Sequence, residues 1–329
     1  MSAPVNVLYL TGFDSSNAVL LVEADRVRLF TDFRYAERAR ELDGVEVEET
    51  ERHIYSDLEG RLPRRIGFEA DALTYANFEL LQAVGGMELA RRRGLVESLR
   101  AVKEPGELAA IRRATEVTNR TYERLAEERF SGRTEKELVW RMTELFHEEG
   151  ADEPAFAIDI AAGPTAASPH AVPGDRVVQE GELVLVDAGA KVDGYCSDCT
   201  RTFAVGEISD SLQDIYELTR LAQQAGLDAV RPGAIGRDVD AAARAVIADA
   251  GYGESFGHGL GHGIGLLVHE APNLRPESTD VLAAGNAVTV EPGIYLSGVG
   301  GVRIEDLVVV TEDGCDALTT FPKELMTVS

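Results

Sequence analysis

Two hairpin-like stretches carry carboxylates where strands would bury them. ELVLVDAG (182–189) and YCSDCTRTF (195–203) flank Asp193-Gly194, a pair that signals a tight hairpin turn. With those two as the central turn residues, Asp187 faces Thr200, and Asp198 is its diagonal neighbour on the same face, roughly 7–8 Å away at Cα. Further along, TVEPGIYL (289–296) and GVRIEDLVVV (301–310) flank the glycine-rich SGVGG, and Glu291 and Glu305 are equidistant from Gly298. A hairpin closing there sets them opposite each other. Most Asp and Glu are simply solvated, but each of these lies in an otherwise apolar strand, where an unpaired charge is costly. Four such acids brought together repel unless something positive lies between them. A pair of divalent cations, about 3.5–4 Å apart and bridged by carboxylates as in many hydrolases, answers that need.

Residues 256–265, FGHGLGHGIG, have glycine at every second position. Each glycine costs a helix roughly 0.5–1 kcal/mol relative to Ala, so H-x-x-x-H here is not the helical zinc motif. An extended segment is expected, with Gly257, Gly259, Gly261, Gly263 and Gly265 permitting close backbone approach and His258, Leu260, His262 and Ile264 projecting together into the site. A flexible linker would not interleave Phe, Leu, Ile and His with its glycines. Four of the six histidines, His170, His258, His262 and His269, fall in or near these motifs; His53 and His147 read as ordinary residues.

The elements that position these groups follow from the rest of the chain. Residues 1–98 read as a small α/β unit, with strands at VLYL, AVLLVEA, RVRLFTD and RRIGFEA and a helix at FRYAERARELD. Pro105-Gly106 then precedes apolar residues at 108, 111, 114 and 117, a helical spacing with proline near its start, and the second domain is placed at 99–329. That domain repeats itself. Leu108 and Ile111 match Leu212 and Ile215, SGRTEKEL followed by Gly150 resembles PGAIGRDV followed by Gly251, and EGELVLVDAG aligns with AGNAVTVEPG. Two copies of helix, helix, strand hairpin imply a pseudo-symmetric fold rather than a solenoid.

Composition bounds the partners. The 329 residues are 44% hydrophobic, normal for a globular protein, and 57 acids against 32 Lys and Arg give a net charge of −25. That charge repels nucleic acid and anionic lipid, so neither partner is expected. No signal-peptide pattern or spanning apolar run is present, and three cysteines are too few and odd for a disulfide framework, so a cytoplasmic protein is expected. Cys196 and Cys199 spell C-x-x-C within a strand reading, where residues three apart face opposite ways. They are expected to be packed thiols.

SPHAVPGDR, VDAGAKVDGYCSDCTRTF, FGHGLGHGIGLLVHEAP, VEPGIYL and GGVRIED, together with YLTGFDSSNAVLLV, TDFRYAE and RIGFEAD near the start, strongly resemble the metal-dependent Xaa-Pro peptidases, aminopeptidase P and prolidase. The resemblance spans nearly the whole chain. It implies an α+β architecture: a pita-bread, pseudo-symmetric catalytic domain, shared with methionine aminopeptidase, preceded by a small α/β domain. Family members usually carry a further helix and strand before the YLTGF-like motif, so the first domain is expected to be curtailed at its start. By motif position, Asp187 would bind one metal, Asp198 and Glu305 bridge both, and His262 and Glu291 complete the second. His170 and His269 would position the scissile carbonyl and stabilise the tetrahedral intermediate, His258 would be a further pocket histidine, and Arg303 would back the bridging carboxylates. Oxygen ligands with one imidazole suit Mn²⁺, with Co²⁺, Fe²⁺ or Zn²⁺ as alternatives.

The implied reaction is attack of a metal-activated water on the carbonyl, with Glu291 passing a proton to the leaving nitrogen. The substrates expected are peptides with proline at the second position, cleaved by a homodimer. A dipeptidase must also read the carboxylate beside the proline, a task suited to a bidentate arginine. Many relatives have arginine soon after H-E-x-P; this chain has Asn273, with Arg275 two residues on. That favours an aminopeptidase P acting on peptides of three or more residues, with prolidase as the alternative. Asp32-Phe33-Arg34-Tyr35 also resembles the D-x-R-Y signature of small bacterial aminopeptidases P, making Arg34 a candidate substrate-binding residue, against its plainer reading as an exposed helix start. Methionine aminopeptidase and a non-catalytic pita-bread module are the more distant alternatives.

Overall fold

The computed structural model describes all 329 residues, which divide into two compact units, Met1–Arg100 and Ala101–Ser329. In the first, α1 (Pro4–Thr11) is followed by β1 (Ala18–Val22), β2 (Val27–Asp32), α2 (Phe33–Ala39), β3 (Glu46–Thr50), β4 (Arg65–Glu69), α3 (Tyr75–Ala83), β5 (Glu88–Arg92) and α4 (Leu95–Ala101). β1 and β2 form an antiparallel hairpin, β3 joins β2 in parallel, and β4 and β5 make a separate parallel pair. VLYL, expected as a strand, lies within α1. Pro4 presets the first helical turn, and Gly12, at φ 70°, closes the last through its amide to the Leu8 carbonyl. A four-residue apolar run has no period of its own, so those flanking residues decided it.

The second unit begins with α5 (Pro105–Leu125) and α6 (Glu135–Glu149), then β6 (Glu153–Pro154), β7 (Asp159–Ala162), β8 (Leu183–Asp187), β9 (Ala190–Val192), β10 (Tyr195–Cys196) and β11 (Thr200–Val205). It continues with α7 (Asp210–Ala229), α8 (Gly236–Asp249), β12 (Gly261–Gly263), β13 (Glu270–Leu274), β14 (Ala287–Val290), β15 (Gly293–Leu296), β16 (Gly300–Arg303), β17 (Asp306–Val310), β18 (Cys315–Ala317) and β19 (Thr327–Val328). Its main sheets run β19-β11-β8-β7 and β13-β12-β14-β17-β18. Each half has its own apolar core. One is built on Tyr122, Phe130, Phe146, Val186 and Phe203, the other on Ile215, Tyr216, Leu260, Val290 and Val308.

The duplication reaches the backbone. Left-handed glycines recur at matching places, Gly132 with Gly233 (both φ 82°), Gly150 with Gly251 (98° and 90°), Gly181 with Gly285 (86° and 88°), and Gly194 with Gly298 (82° and 76°). Even an isolated bridge is doubled, Thr134 to Val177 and Ile235 to Val281. The architecture is the pita-bread catalytic fold preceded by a small α/β unit.

Candidate metal and catalytic site

Both hairpins keep the register their turns set, but each ladder is broken partway. Asp193 (φ 51°) and Gly194 occupy the first turn; Val192 pairs with Tyr195, and Asp187 pairs with Thr200. In the second hairpin Gly293 pairs with Arg303 and Val290 with Asp306, which leaves Glu291 and Glu305 in register at the gap. Asp187 ends β8, and Asp198, Glu291 and Glu305 all lie where paired strands part. There the backbone finds other partners: the Glu305 amide donates to Thr200 O (3.1 Å) and the Glu291 amide to Leu260 O (2.8 Å). The breaks thus bring carboxylates of both halves to one place.

His262 joins them from β12, where a bulge separates it from Gly263. Its Nδ1 faces the Gly263 carbonyl at 3.1 Å, an acceptor only, so Nδ1 carries the proton and Nε2 points at the acids, 3.3 Å from Glu291 Oε1 and 3.8 Å from Asp198 Oδ2. Ligand atoms of Asp198, His262 and Glu305 all lie within 4.8 Å of one another. Buried Asp187 Oδ1, Asp198 Oδ1 and Glu305 Oε1 have no hydrogen-bond partner. Burial, then repulsion from the neighbouring acids, pushes Asp198 and Glu305 well above the usual carboxylate range. For Glu291 burial acts the same way but is outweighed by His262, which takes it down to about 2. Orphaned, mutually repelling oxygens around one imidazole fit a divalent cation.

The cluster floors a cavity of about 520 Å³ lined also by Phe156, Asp159, His170, His258, His269, Arg275 and Arg303. His269 lies edge-on to His262, ring centroids 4.3 Å apart, and burial followed by the His262 charge lowers its pKa. His258 Nδ1 donates to Gly259 O (2.8 Å), and its Nε2 accepts from Tyr295 Oη (2.9 Å); burial keeps this ring neutral. Arg303 does not touch the two acids expected to bridge. It donates to Asp187 Oδ2 (2.5 Å), Tyr295 Oη (2.7 Å) and Thr200 Oγ1 (3.0 Å), and reaches Glu305 only through that threonine. Arg34 sits in the first unit at the start of α2, where Asp32 at the end of β2 holds its guanidinium at 2.7 and 2.8 Å.

The glycine-rich segment is extended, as its composition requires, but its side chains do not all point one way. Leu260 and Ile264 are fully buried in apolar clusters, while His258 and His262 line the cavity. A β-carbon on Gly261 would stand 2.0 Å from Thr289 O, and one on Gly263 2.2 Å from Ala271 O; Gly257 has open space. The segment is gripped from α8. Arg244 donates to the carbonyls of Phe256 and His258 (both 2.7 Å), stacks over the Phe256 ring at 4.1 Å, and pairs with buried Asp240, whose Oδ1 also accepts from the Leu260 amide (3.0 Å). Asp240, Arg244, Tyr295 and Asp159 escaped the sequence reading. Only Asp159 carried the signal used for the other acids, a carboxylate in an apolar strand.

Duplicated halves around a buried carboxylate–imidazole cluster define a metal-dependent hydrolase of the pita-bread class. The chain belongs to metallopeptidase family M24, whose model matches residues 109–312, and residues 1–102 match the creatinase/prolidase N-terminal domain. The solved Xaa-Pro dipeptidase from Bacillus anthracis is 38% identical, with a TM-score of 0.95 over 98% of this chain and 93% of that one. The X-Pro aminopeptidase from Thermotoga maritima MSB8 is 34% identical, with a TM-score of 0.89 over 99% and 95%. A Xaa-Pro dipeptidase of Pyrococcus furiosus is 34% identical over 99% of this chain and 94% of its own length. Family membership makes the chain a divalent-metal hydrolase. No helix is long and apolar enough to cross a membrane.

Proposed function

We propose that the chain hydrolyses the bond between an N-terminal residue and proline, dipeptides included, using two divalent cations, Mn²⁺ foremost. The observation that carries this reading is the convergence of Asp187, Asp198, His262, Glu291 and Glu305, with orphaned oxygens, on the floor of one cavity. Asp187 would serve one cation, Asp198 and Glu305 both, and His262 and Glu291 the other. Bound there, the cations supply Lewis acidity that polarises the carbonyl and makes water acidic enough to act as nucleophile near neutral pH. Glu291 takes up the proton and returns it to the proline nitrogen, His170 and His269 hold the carbonyl and its developing charge, and His258 shapes the pocket. Arg303 fixes Asp187. Proline's nitrogen has no N–H in the substrate, so the site must recognise the bond without gripping that hydrogen.

Asn273 argued for longer peptides, and the Thermotoga maritima neighbour supports that second reading. Two observations favour dipeptides. Arg275, immediately after β13, lines the cavity and can read a terminal carboxylate; Asn273 lines it too, but its side-chain amide donates to Asp280 (3.3 Å). Relatives similar over the full length carry the name Xaa-Pro dipeptidase. The expected setting is the cytoplasm, which suits three free thiols, two of them buried, and the expected assembly is a homodimer. The deciding experiment strips metal with a chelator, restores Mn²⁺, and compares kcat/KM for Ala-Pro, Ala-Pro-Ala and Met-Ala-Ser. Cleavage of neither proline peptide overturns the function; an excess for the tripeptide overturns only the dipeptidase preference; cleavage of Met-Ala-Ser alone marks a methionine aminopeptidase.

A further inference from the structure

Five carboxylates line the cavity, and four are engaged in the cluster: Asp187, Asp198, Glu291 and Glu305. The fifth, Asp159, opens β7, the edge strand of its sheet, and is half-buried. It is the Cα partner of Asp187 across the antiparallel β7–β8 ladder, so the two side chains share a face. Asp159 therefore stands one interstrand spacing, about 4.8 Å, outside the cluster. No hydrogen bond or ion pair engages its carboxylate, although Phe156 and His170 line the same cavity. A carboxylate that faces a binding cavity, is touched by no donor and is attracted only at a distance by Arg303 and His170 is a receptor for a cation brought into hydrogen-bond reach.

The covalent geometry of an Xaa-Pro substrate says which cation. The scissile carbonyl must sit at the cluster, and the α-nitrogen, two bonds from that carbon, stays beside the cluster's own acids. The Xaa side chain is what leads outward, and the flexible stem of lysine or arginine is long enough to span an interstrand spacing. Cavity polarity agrees. Its anion outside the cluster, Asp159, comes from the first half of the fold, and Arg275 comes from the second, so a substrate cationic at Xaa and anionic at proline matches the field.

We propose that Asp159 is a specificity residue that selects a cationic side chain, lysine or arginine, at the position before proline; this rests on the Xaa-Pro reading above. The test compares Mn²⁺-loaded wild type and Asp159→Asn on Lys-Pro and norleucine-Pro, which are close in shape and differ in charge, with calorimetric binding of free L-lysine and L-norleucine as a second readout. The ratio of kcat/KM for Lys-Pro over norleucine-Pro is expected to be about tenfold in the wild type, the scale of one charge-assisted hydrogen bond, and to fall to about one in the variant. Calorimetry should show the same preference for lysine and its loss. A wild-type ratio near one overturns the proposal. So does a ratio that survives the substitution while both rates fall together, which would assign Asp159 to the α-ammonium or to the fold. If neither dipeptide is cleaved, the Xaa-Pro reading fails, and the calorimetric preference alone decides the role of Asp159.

Discussion

Thr200 Oγ1 donates to Glu305 Oε2 at 2.7 Å, joining the hairpin of the first half to that of the second. The contact occupies one oxygen of Glu305 and leaves Oε1 buried with no partner, as Asp198 Oδ1 is, and ligand atoms of the two residues lie within 4.8 Å of each other. Glu305→Gln and Asp198→Asn are each expected to abolish turnover and reduce bound metal while circular dichroism shows the fold intact, since each neutralises an acid facing both halves of the cluster. Near-wild-type turnover with two metals bound in either purified variant would remove these residues from the ligand set.

Buried acids held far above their usual pKa are a liability that a bound cation turns into stability. Adding Mn²⁺ to chelated protein should therefore raise Tm progressively. At one hundred times Kd the gain is about 2.7 kcal/mol for one site, enough for a shift of several degrees. A Tm that does not move with metal, measured by differential scanning calorimetry, would mean that the cluster holds no cation.

His269 makes a ring contact with His262 but has no place in the carboxylate cluster. His269→Ala is expected to lower kcat by about 10²–10³, the cost of one donor toward developing charge, with metal content unchanged. Loss of metal at unchanged kcat would make it a ligand instead.

Arg244 and Asp240 clamp a segment that its five glycines, Gly257 to Gly265, would otherwise leave loose. Arg244→Ala removes two donors to the Phe256 and His258 carbonyls and leaves Asp240 buried without its cation, a loss of about 3 kcal/mol. Hydrogen exchange at residues 256–262 should accelerate ahead of the rest of the unit, and kcat should fall. Uniform exchange across the unit would show that the pair only supports global stability.

Arg275 is offered as the reader of the proline carboxylate. Arg275→Ala should raise KM for Ala-Pro about tenfold or more while leaving Ala-Pro-Ala less affected. Equal effects on both peptides in steady-state kinetics would deny it that task.

Much of the site was legible because strand physics is local. Asp193-Gly194 demands a two-residue turn, and that turn alone sets Asp187 against Thr200; the symmetry of the second hairpin about Gly298 likewise sets Glu291 against Glu305. Matched glycines and carboxylates exposed the duplication. VLYL misled because four apolar residues have no period; Ile264 misled because alternation was assumed past the bulge between His262 and Gly263, and Leu260 because it was assumed ahead of β12, which starts only at Gly261.

By itself, then, the sequence determined which residues could be ligands and how each hairpin pairs, since turn type and alternation act over a few residues and need no knowledge of the rest of the chain. Only the tertiary structure decided that the ladders part at the acids, that Thr200 and Arg303 tie one half to the other, and that Asp159 lies beside Asp187 in the cavity. Those relations join strands far apart in sequence. Packing of the two cores sets them, and no local periodicity encodes it.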